Sequence, residues 1–239
     1  MSKRINQSAV SIIGGGLAGC EAAWQLATRD IPVLLHDMKP AVFSPAHESE
    51  NLGELVCSNS LRSNDPFSAV GLLKDEMRQL DSLIIKTADE TAVPAGKALA
   101  VDRELFSADI TKRITEHPLI TIVREEVKEI PNSSNTFTIL ATGPLSSDSL
   151  AESLAELTGK ERLYFYDAIA PIIYSDSLDM DVIYQKSRYD DGPGDYLNCP
   201  LDRQSYEQFI TELSKAQYAP LRDFEDAKYF EGCLPIEII

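Results

Sequence analysis

The sequence lacks several features that would assign it to a common class of protein. It contains no run of about 18 apolar residues, so no transmembrane helix is expected. Its four cysteines form no C-x-x-C pair, and its three histidines show no metal-ligand spacing. We therefore expect no metal site. Unpaired thiols of this kind are typical of the reducing cytoplasm, which is the predicted location.

Basic residues are also scarce. The chain has 22 Lys and Arg against 38 Asp and Glu, which gives a net charge of −16. This charge argues against a nucleic-acid-binding protein, because neutralising phosphates requires clustered Lys and Arg. The length of 239 residues, with 44% apolar and 25% charged residues, is that of a globular protein of one large or two small domains.

The two ends of the sequence differ in character. Residues 1–7 lead directly into an apolar strand, which leaves no room for a signal peptide. Residues 231–239 end at their most apolar point, whereas natural termini are usually polar. We therefore expect the sequence to be a fragment of a longer chain.

The most informative feature is a glycine-rich loop between a strand and a helix. Residues 9–13 are apolar, residues 20–27 have a helical pattern, and a G-x-G-x-x-G motif joins them, made of Gly14, Gly15, Gly16, Leu17, Ala18 and Gly19. The first glycine permits a tight turn, the second lets the backbone approach a pyrophosphate, and the third lets the helix pack close to its strand. The pattern predicts a dinucleotide site at the helix N-terminus. A tight turn without a ligand is the alternative.

An acidic residue lies where a dinucleotide site requires one. A second apolar strand over residues 33–36 ends at Asp37, which follows Gly19 by 18 residues. In dinucleotide-binding folds, a carboxylate at about this spacing binds the adenosine ribose. The fold class predicted is therefore α/β, with a Rossmann-like dinucleotide-binding domain.

The remainder of this domain, predicted over residues 1–145, alternates helices and strands. Residues 38–65 are interpreted as a long loop and residues 67–85 as a helix. Asp102 should cap a helix over about 103–116, with Leu105, Ile110 and Ile114 on its buried side. Strands are expected over 119–123 and 136–143, the second ending in Ala141, Thr142 and Gly143. Such a strand often returns under the cofactor in flavoproteins, although a plain glycine turn remains the alternative.

A change of character at about residue 146 indicates a second domain. Residues 146–239 are predicted to form an α+β insertion domain, apparently incomplete, with helices near 150–157 and 203–216 and strands near 163–174 and 182–186.

Two thiols are candidates for chemistry. Cys57 lies near Arg62 among hydroxyl and amide groups, a setting that lowers a thiol pKa. Cys233 lies between Gly232 and a Leu-Pro pair. For both, the alternative is an inert buried cysteine. Cys20 and Cys199 are interpreted as packing residues.

Several segments carry a resemblance that spacing alone does not provide. The two most specific are residues 55–62 (L-V-C-S-N-S-L-R) and residues 229–237 (Y-F-E-G-C-L-P-I-E). Together with residues 93–103, 140–145, 163–170 and 196–201, they resemble the bacterial folate- and FAD-dependent tRNA (uracil-5-)-methyltransferases, the TrmFO family, over nearly the whole chain.

The resemblance implies a GidA-like flavoprotein that forms 5-methyluridine in the T-loop of tRNA. Methylenetetrahydrofolate would supply the carbon, reduced FAD the electrons, and NAD(P)H would be the external reductant. Cys233 would be the nucleophile and Cys57 the base, with the opposite assignment left open. FAD would be bound by the glycine loop, by Asp37 and by three further residues, namely Arg62, Thr142 and Gly143.

Three departures from the family pattern accompany the resemblance. Asp37 stands where the family usually has Glu, and Lys97 stands where it usually has Gly. The family also continues well beyond residue 239. Two alternatives follow: the related flavoprotein that modifies wobble uridines of tRNA, and a truncated non-catalytic fragment that binds flavin.

Overall fold

The computed structural model describes residues 9–56, 58–131, 137–159, 174–187 and 194–217. The chain divides into two compact units. Unit 1 comprises Met1–Val93 and Lys97–Leu163, and unit 2 comprises Pro94–Gly96 and Tyr164–Ile239. The domain boundary between residues 145 and 146 stays a prediction.

Unit 1 is built on a parallel sheet of four strands in the order β6-β2-β1-β7. Its strands are β1 (Val10–Ile13), β2 (Val33–His36), β6 (Ile120–Val123) and β7 (Thr138–Leu140). Helix α1 (Leu17–Ala27) connects β1 to β2. This parallel arrangement with a helical crossover confirms the predicted α/β class and is the Rossmann-like topology.

A second, antiparallel sheet lies between β2 and β6 in sequence. It has the order β3-β5-β4, from β3 (Ser60–Ser63), β4 (Ala92–Val93) and β5 (Ala98–Val101). The pairing of β3 with β5 is irregular between Ser60 and Ser63. The long loop predicted over residues 38–65 therefore ends in a strand.

The helix predicted over residues 67–85 is two helices, α2 (Ala69–Gln79) and α3 (Leu83–Glu90). The break occurs because Asp81 adopts a positive φ of 54° and the Ser82 side chain caps α3 by accepting a hydrogen bond from the Ile85 N–H. Apolar spacing continues through this break, so spacing alone did not reveal it.

Helix α4 (Arg103–Glu116) matches its predicted bounds. Asp102 caps it as predicted and accepts hydrogen bonds from the N–H groups of Glu104 and Leu105. The predicted buried side is partly wrong: Leu105 is 60% exposed, and Phe106 is buried in its place. A hydrophobic core forms in unit 1 where α1, α3 and α4 pack with the sheet, around Ile12, Leu35, Leu83, Phe106, Ile110 and Ile114.

The last helix of unit 1 is α5 (Asp148–Thr158), which ends at Gly159 in the left-handed conformation. In unit 2 the structure describes a two-stranded pair, β8 (Tyr184–Gln185) with β9 (Leu197–Asn198), and helix α6 (Arg203–Leu213). The strand expected over 163–174 lies almost wholly outside the described residues. None of the described helices is long and apolar enough to cross a bilayer.

Candidate functional site

The loop between β1 and α1 has the close approaches that its glycines allow. Gly14 has a φ of 110°, and a Cβ atom there would lie 2.5 Å from the Ala141 carbonyl oxygen. A Cβ atom at Gly19 would lie 1.8 Å from the Gly14 carbonyl oxygen. Both positions therefore require glycine because backbone atoms fill the space that a side chain would need.

Gly16 is different, since it faces open space. It is the N-cap residue of α1 and offers no side-chain cap, and the first turn, which contains Leu17 and Ala18, has no acidic residue. No described atom lies within 4 Å of the position that a Cβ atom would take. The N-terminus of α1 is thus left open to a negatively charged group.

Asp37 is buried beside this loop. Its carboxylate accepts hydrogen bonds from the Gly15 N–H at 3.1 Å and from the Lys39 N–H at 2.8 Å. The two oxygens of a carboxylate offer about four acceptor sites. The remaining lone pairs can accept hydrogen bonds from ribose hydroxyl groups, so the arrangement fits a dinucleotide.

Two basic residues that sequence reasoning missed hold this region together. Arg124 lies 3.7 Å from the Asp37 carboxylate and donates to the carbonyl groups of Lys39 and Glu50. The sequence carried a signal for this contact, because Asp37 and Arg124 each directly follow a strand. The last residues of those strands, His36 of β2 and Val123 of β6, are paired in the sheet. Parallel strands place the residues that follow them at the same edge of the sheet.

The second basic residue is Lys39. Its buried ammonium donates to the Asn51 carbonyl at 2.5 Å and pairs with the Glu54 carboxylate at 3.2 Å. Glu54 in turn accepts hydrogen bonds from the N–H groups of Glu48 and Ser49. These contacts fix the loop after β2 against the glycine loop, where the Gly53 N–H donates to the Gly15 carbonyl.

The segment after β7 closes the other side of the glycine loop. The Ala141 N–H donates to the Ile13 carbonyl at 2.8 Å, and Gly143 adopts a φ of 64°. The Thr142 hydroxyl is hydrogen-bonded to the Ser146 hydroxyl at 2.7 Å. The A-T-G segment therefore lies next to Gly14, at the end of β7 nearest the site.

Cys20 is a packing residue, as predicted. It is fully buried, its thiol donates to the Gly15 carbonyl at 3.3 Å, and burial together with the Asp37 charge raises its pKa to about 12. Such a thiol stays protonated and is a poor nucleophile. The same interpretation of Cys199 is wrong, because its side chain is exposed.

The two candidate catalytic cysteines, Cys57 and Cys233, lie outside the described residues. The residues after the first of them are anchored to β5: the Val101 N–H donates to the Asn59 carbonyl at 2.9 Å, and the Asn59 amide donates to the Val101 carbonyl at 3.1 Å. Arg62 is exposed and has a φ of 65°. Among the described residues, no three metal-ligating side chains lie together.

Comparisons with known proteins find similar sequences over nearly the whole chain. The model of the family described as glucose inhibited division protein A matches residues 9–239. The methylenetetrahydrofolate–tRNA-(uracil-5-)-methyltransferase TrmFO of Desulfotalea psychrophila is 66% identical over 234 residues, which are 98% of this chain and 53% of that protein. The TrmFO of Bacillus subtilis is 56% identical over 235 residues, with the same two coverages.

Among solved structures, GidA from Aquifex aeolicus matches with a TM-score of 0.46 and 20% identity, over 60% of this chain and 26% of that one. The two TrmFO proteins are longer than this chain, which spans about half of their length. Because the family model covers nearly all of the sequence, the chain belongs to the glucose inhibited division protein A family.

Proposed function

We propose that the protein forms 5-methyluridine in the T-loop of tRNA, with methylenetetrahydrofolate as carbon donor, bound FAD as redox cofactor and NAD(P)H as reductant. The observation that carries this proposal is the 66% identity, over 98% of the chain, to a methyltransferase named for the same reaction. The coverage of 53% of that relative makes the complete activity a proposal for the full-length protein. A tRNA substrate also implies a cytoplasmic enzyme.

The geometry of the glycine loop supports a bound dinucleotide. The open N-terminus of α1 at Gly16 would receive the pyrophosphate, and Asp37 would accept hydrogen bonds from the adenosine ribose. Thr142 and Gly143, beside the loop, would flank the cofactor. When bound, reduced FAD would supply the hydride that completes the new methyl group.

The protein's own thiols would carry the remaining steps. Uracil C5 is a weak nucleophile until a thiolate adds to C6, which makes C5 an enolate carbon able to attack an activated methylene. A base would then remove the C5 proton as tetrahydrofolate leaves the new methylene group, and addition of a hydride to that group would expel the thiolate from C6. We assign Cys233 as the nucleophile and Cys57 as the base, and the target uridine must leave its stack to reach them.

One alternative is the flavoprotein that modifies wobble uridines. The 66% identity to a relative named as a tRNA-(uracil-5-)-methyltransferase supports the first proposal over this one. The other alternative is a non-catalytic flavin-binding fragment, since the chain covers 53% of the length of that relative. The mass of the natural protein separates a full-length enzyme from a fragment, since the sequence given corresponds to 26.4 kDa.

The test uses full-length protein, an unmodified tRNA transcript, methylenetetrahydrofolate and NADPH. The wild type should be yellow and should form 5-methyluridine in the T-loop, measured by nucleoside mass spectrometry. Cys57→Ala and Cys233→Ala should each abolish methylation while retaining FAD. The matched controls, Cys199→Ala and Cys20→Ala, should remain active.

Three results would contradict the proposal. A colourless protein that binds NADH but not FAD would contradict the assignment of FAD as the bound cofactor. Full activity of Cys57→Ala or Cys233→Ala would remove that thiol from the mechanism. Modification of the wobble uridine, with an unmodified T-loop, would favour the alternative enzyme.

A further inference from the structure

Lys74 is a buried lysine that has no carboxylate partner among the residues that the structure describes. Its side chain lies inside unit 1, and its ammonium donates to the carbonyl groups of Ser63 at 2.8 Å and Val70 at 3.2 Å. In the parts of the chain that the structure describes, no carboxylate oxygen lies within 4.0 Å of it. Burial, and then the charges of Arg78 and Arg62, lower its pKa. A buried charge of this kind is costly unless an anion compensates it.

The acidic residues nearby are already paired with other cations. Arg78 contacts the carboxylates of Asp75 at 2.6 Å and Asp89 at 2.7 Å. The Lys97 ammonium contacts the Asp65 carboxylate at 2.9 Å. Two positive charges, those of Lys74 and Arg62, therefore remain uncompensated by any described residue in this part of unit 1.

Arg62 is held in a backbone conformation that an arginine rarely adopts. Its φ is 65°, its N–H donates to the Ser60 hydroxyl at 3.2 Å, and the carbonyl of the next residue, Ser63, accepts from Lys74. The Ser63 hydroxyl accepts further hydrogen bonds from the Asp65 N–H and the Ser68 hydroxyl. Strained residues fixed from several sides cluster at binding sites.

The guanidinium group of Arg62 is exposed, and no described residue accepts a hydrogen bond from it. A planar guanidinium with free donors is suited to bidentate binding of a carboxylate or a phosphate. The buried ammonium of Lys74, which binds the carbonyl of the next residue, Ser63, adds a second positive charge that is screened little by water.

We propose that Arg62 binds an oxyanion of one substrate, with Lys74 as the positioning residue that fixes the backbone at Arg62. The naming of the substrates rests on the proposed function: the anion is either a carboxylate of the glutamyl tail of methylenetetrahydrofolate or a backbone phosphate of the tRNA. Arg62 thereby serves a substrate rather than the FAD assigned to it from the sequence.

The experiment compares Arg62→Gln and Arg62→Lys with wild type in the full-length protein. Arg29→Gln is the matched control, because Arg29 is an exposed arginine just after α1 whose guanidinium, among the described residues, contacts only Gln25. For each variant, the kcat, the KM of each substrate, the FAD content and the melting temperature are measured.

We expect Arg62→Gln to raise the KM of one substrate by about tenfold or more, since a charge-assisted bidentate contact is lost. The kcat, the FAD content and the melting temperature should stay at wild-type values. Arg62→Lys should give an intermediate KM, because an ammonium keeps the charge but not the bidentate geometry. A purely structural residue would change the melting temperature instead.

Binding measurements without turnover identify the source of the anion. Equilibrium dialysis with tetrahydrofolate tests the carboxylate, and filter binding of unmodified tRNA over a range of salt tests the phosphate. Loss of one phosphate contact should reduce the salt slope of tRNA binding by about one in Arg62→Gln.

The inference is overturned if Arg62→Gln binds both ligands as wild type does, or if it loses FAD while both affinities are kept. An equal loss of affinity for both ligands also contradicts it. If wild type forms no 5-methyluridine, the proposed function fails, whereas the two binding measurements still decide the role of Arg62.

Discussion

Helices α4 and α6 have similar sequence patterns and opposite burial. In α4, Phe106, Ile110 and Ile114 are fully buried in the core of unit 1. In α6, Phe209 and Ile210 remain exposed, at 50% and 41%. The spacing of apolar residues indicates which side of a helix can be buried, whereas the neighbouring elements decide whether that side is buried. The same distinction separates Gly19, enclosed by backbone, from Gly16, which faces open space.

The two glycines should give the largest contrast. Gly19→Val places side-chain atoms where the Gly14 carbonyl lies, so the free energy of unfolding should fall by about 4 kcal/mol or more. A Cβ atom at Gly16 would contact nothing beyond its chain neighbours, so Gly16→Val should cost about 1 kcal/mol, mainly from a poorer N-cap, yet it should abolish FAD retention. Urea unfolding and the absorbance of bound flavin measure both effects. Flavin retained by Gly16→Val would show that the loop is only a structural turn.

The two helices provide the second contrast. Ile110→Ala removes a fully buried side chain and should lower the free energy of unfolding by about 2–4 kcal/mol. Ile210→Ala should change it by about 0.5 kcal/mol. Denaturant midpoints of the 239-residue chain measure the difference. Equal costs would contradict the exposure of α6, and a large cost for Ile210→Ala only in the full-length protein would show that the longer chain covers it.

Helix caps give a smaller contrast within unit 1. Asp102→Ala removes two hydrogen bonds to the first turn of α4 and should cost about 1 kcal/mol. Ser147, at the same position of α5, makes no side-chain cap bond, so Ser147→Ala should be close to neutral. Thermal unfolding followed by circular dichroism tests this pair. Equal losses would mean that the Asp102 bonds contribute no net stability.

The smallest effects are expected at the exposed Lys97–Asp65 pair. The hydrogen bond from Lys97, followed by that from the Phe67 N–H, lowers the pKa of the Asp65 carboxyl. Lys97→Gly should therefore raise this pKa, which NMR titration of the carboxyl carbon measures. Because the folded-state pKa is the lower one, the pair stabilises the protein above the unfolded-state pKa, and this contribution is lost as pH falls through the folded-state value.

Turnover should respond little to the same substitution. Lys97 is engaged with Asp65, so Lys97→Gly should change kcat of the full-length protein by less than about tenfold. A loss of several orders of magnitude would instead place the ammonium at a substrate or at the cofactor.

Local patterns were predicted well where the interactions themselves are local. The glycine loop, Asp37 at the end of β2 and the Asp102 cap each depend on residues a few positions apart or on one strand–helix–strand unit. The break between α2 and α3 was missed because it depends on the conformation of one residue, Asp81, which apolar spacing does not encode.

Sequence by itself determined the α/β class and the position of the glycine loop between β1 and α1, because hydrophobic periodicity and glycine placement act over short stretches of chain. Only the tertiary structure decided that Arg124 supports Asp37, that Lys39 pairs with Glu54, and that Lys74 is buried with no carboxylate partner among the described residues. Those contacts join residues far apart in sequence. The packing of the chain therefore decides which buried charge lies next to an opposite charge and which does not.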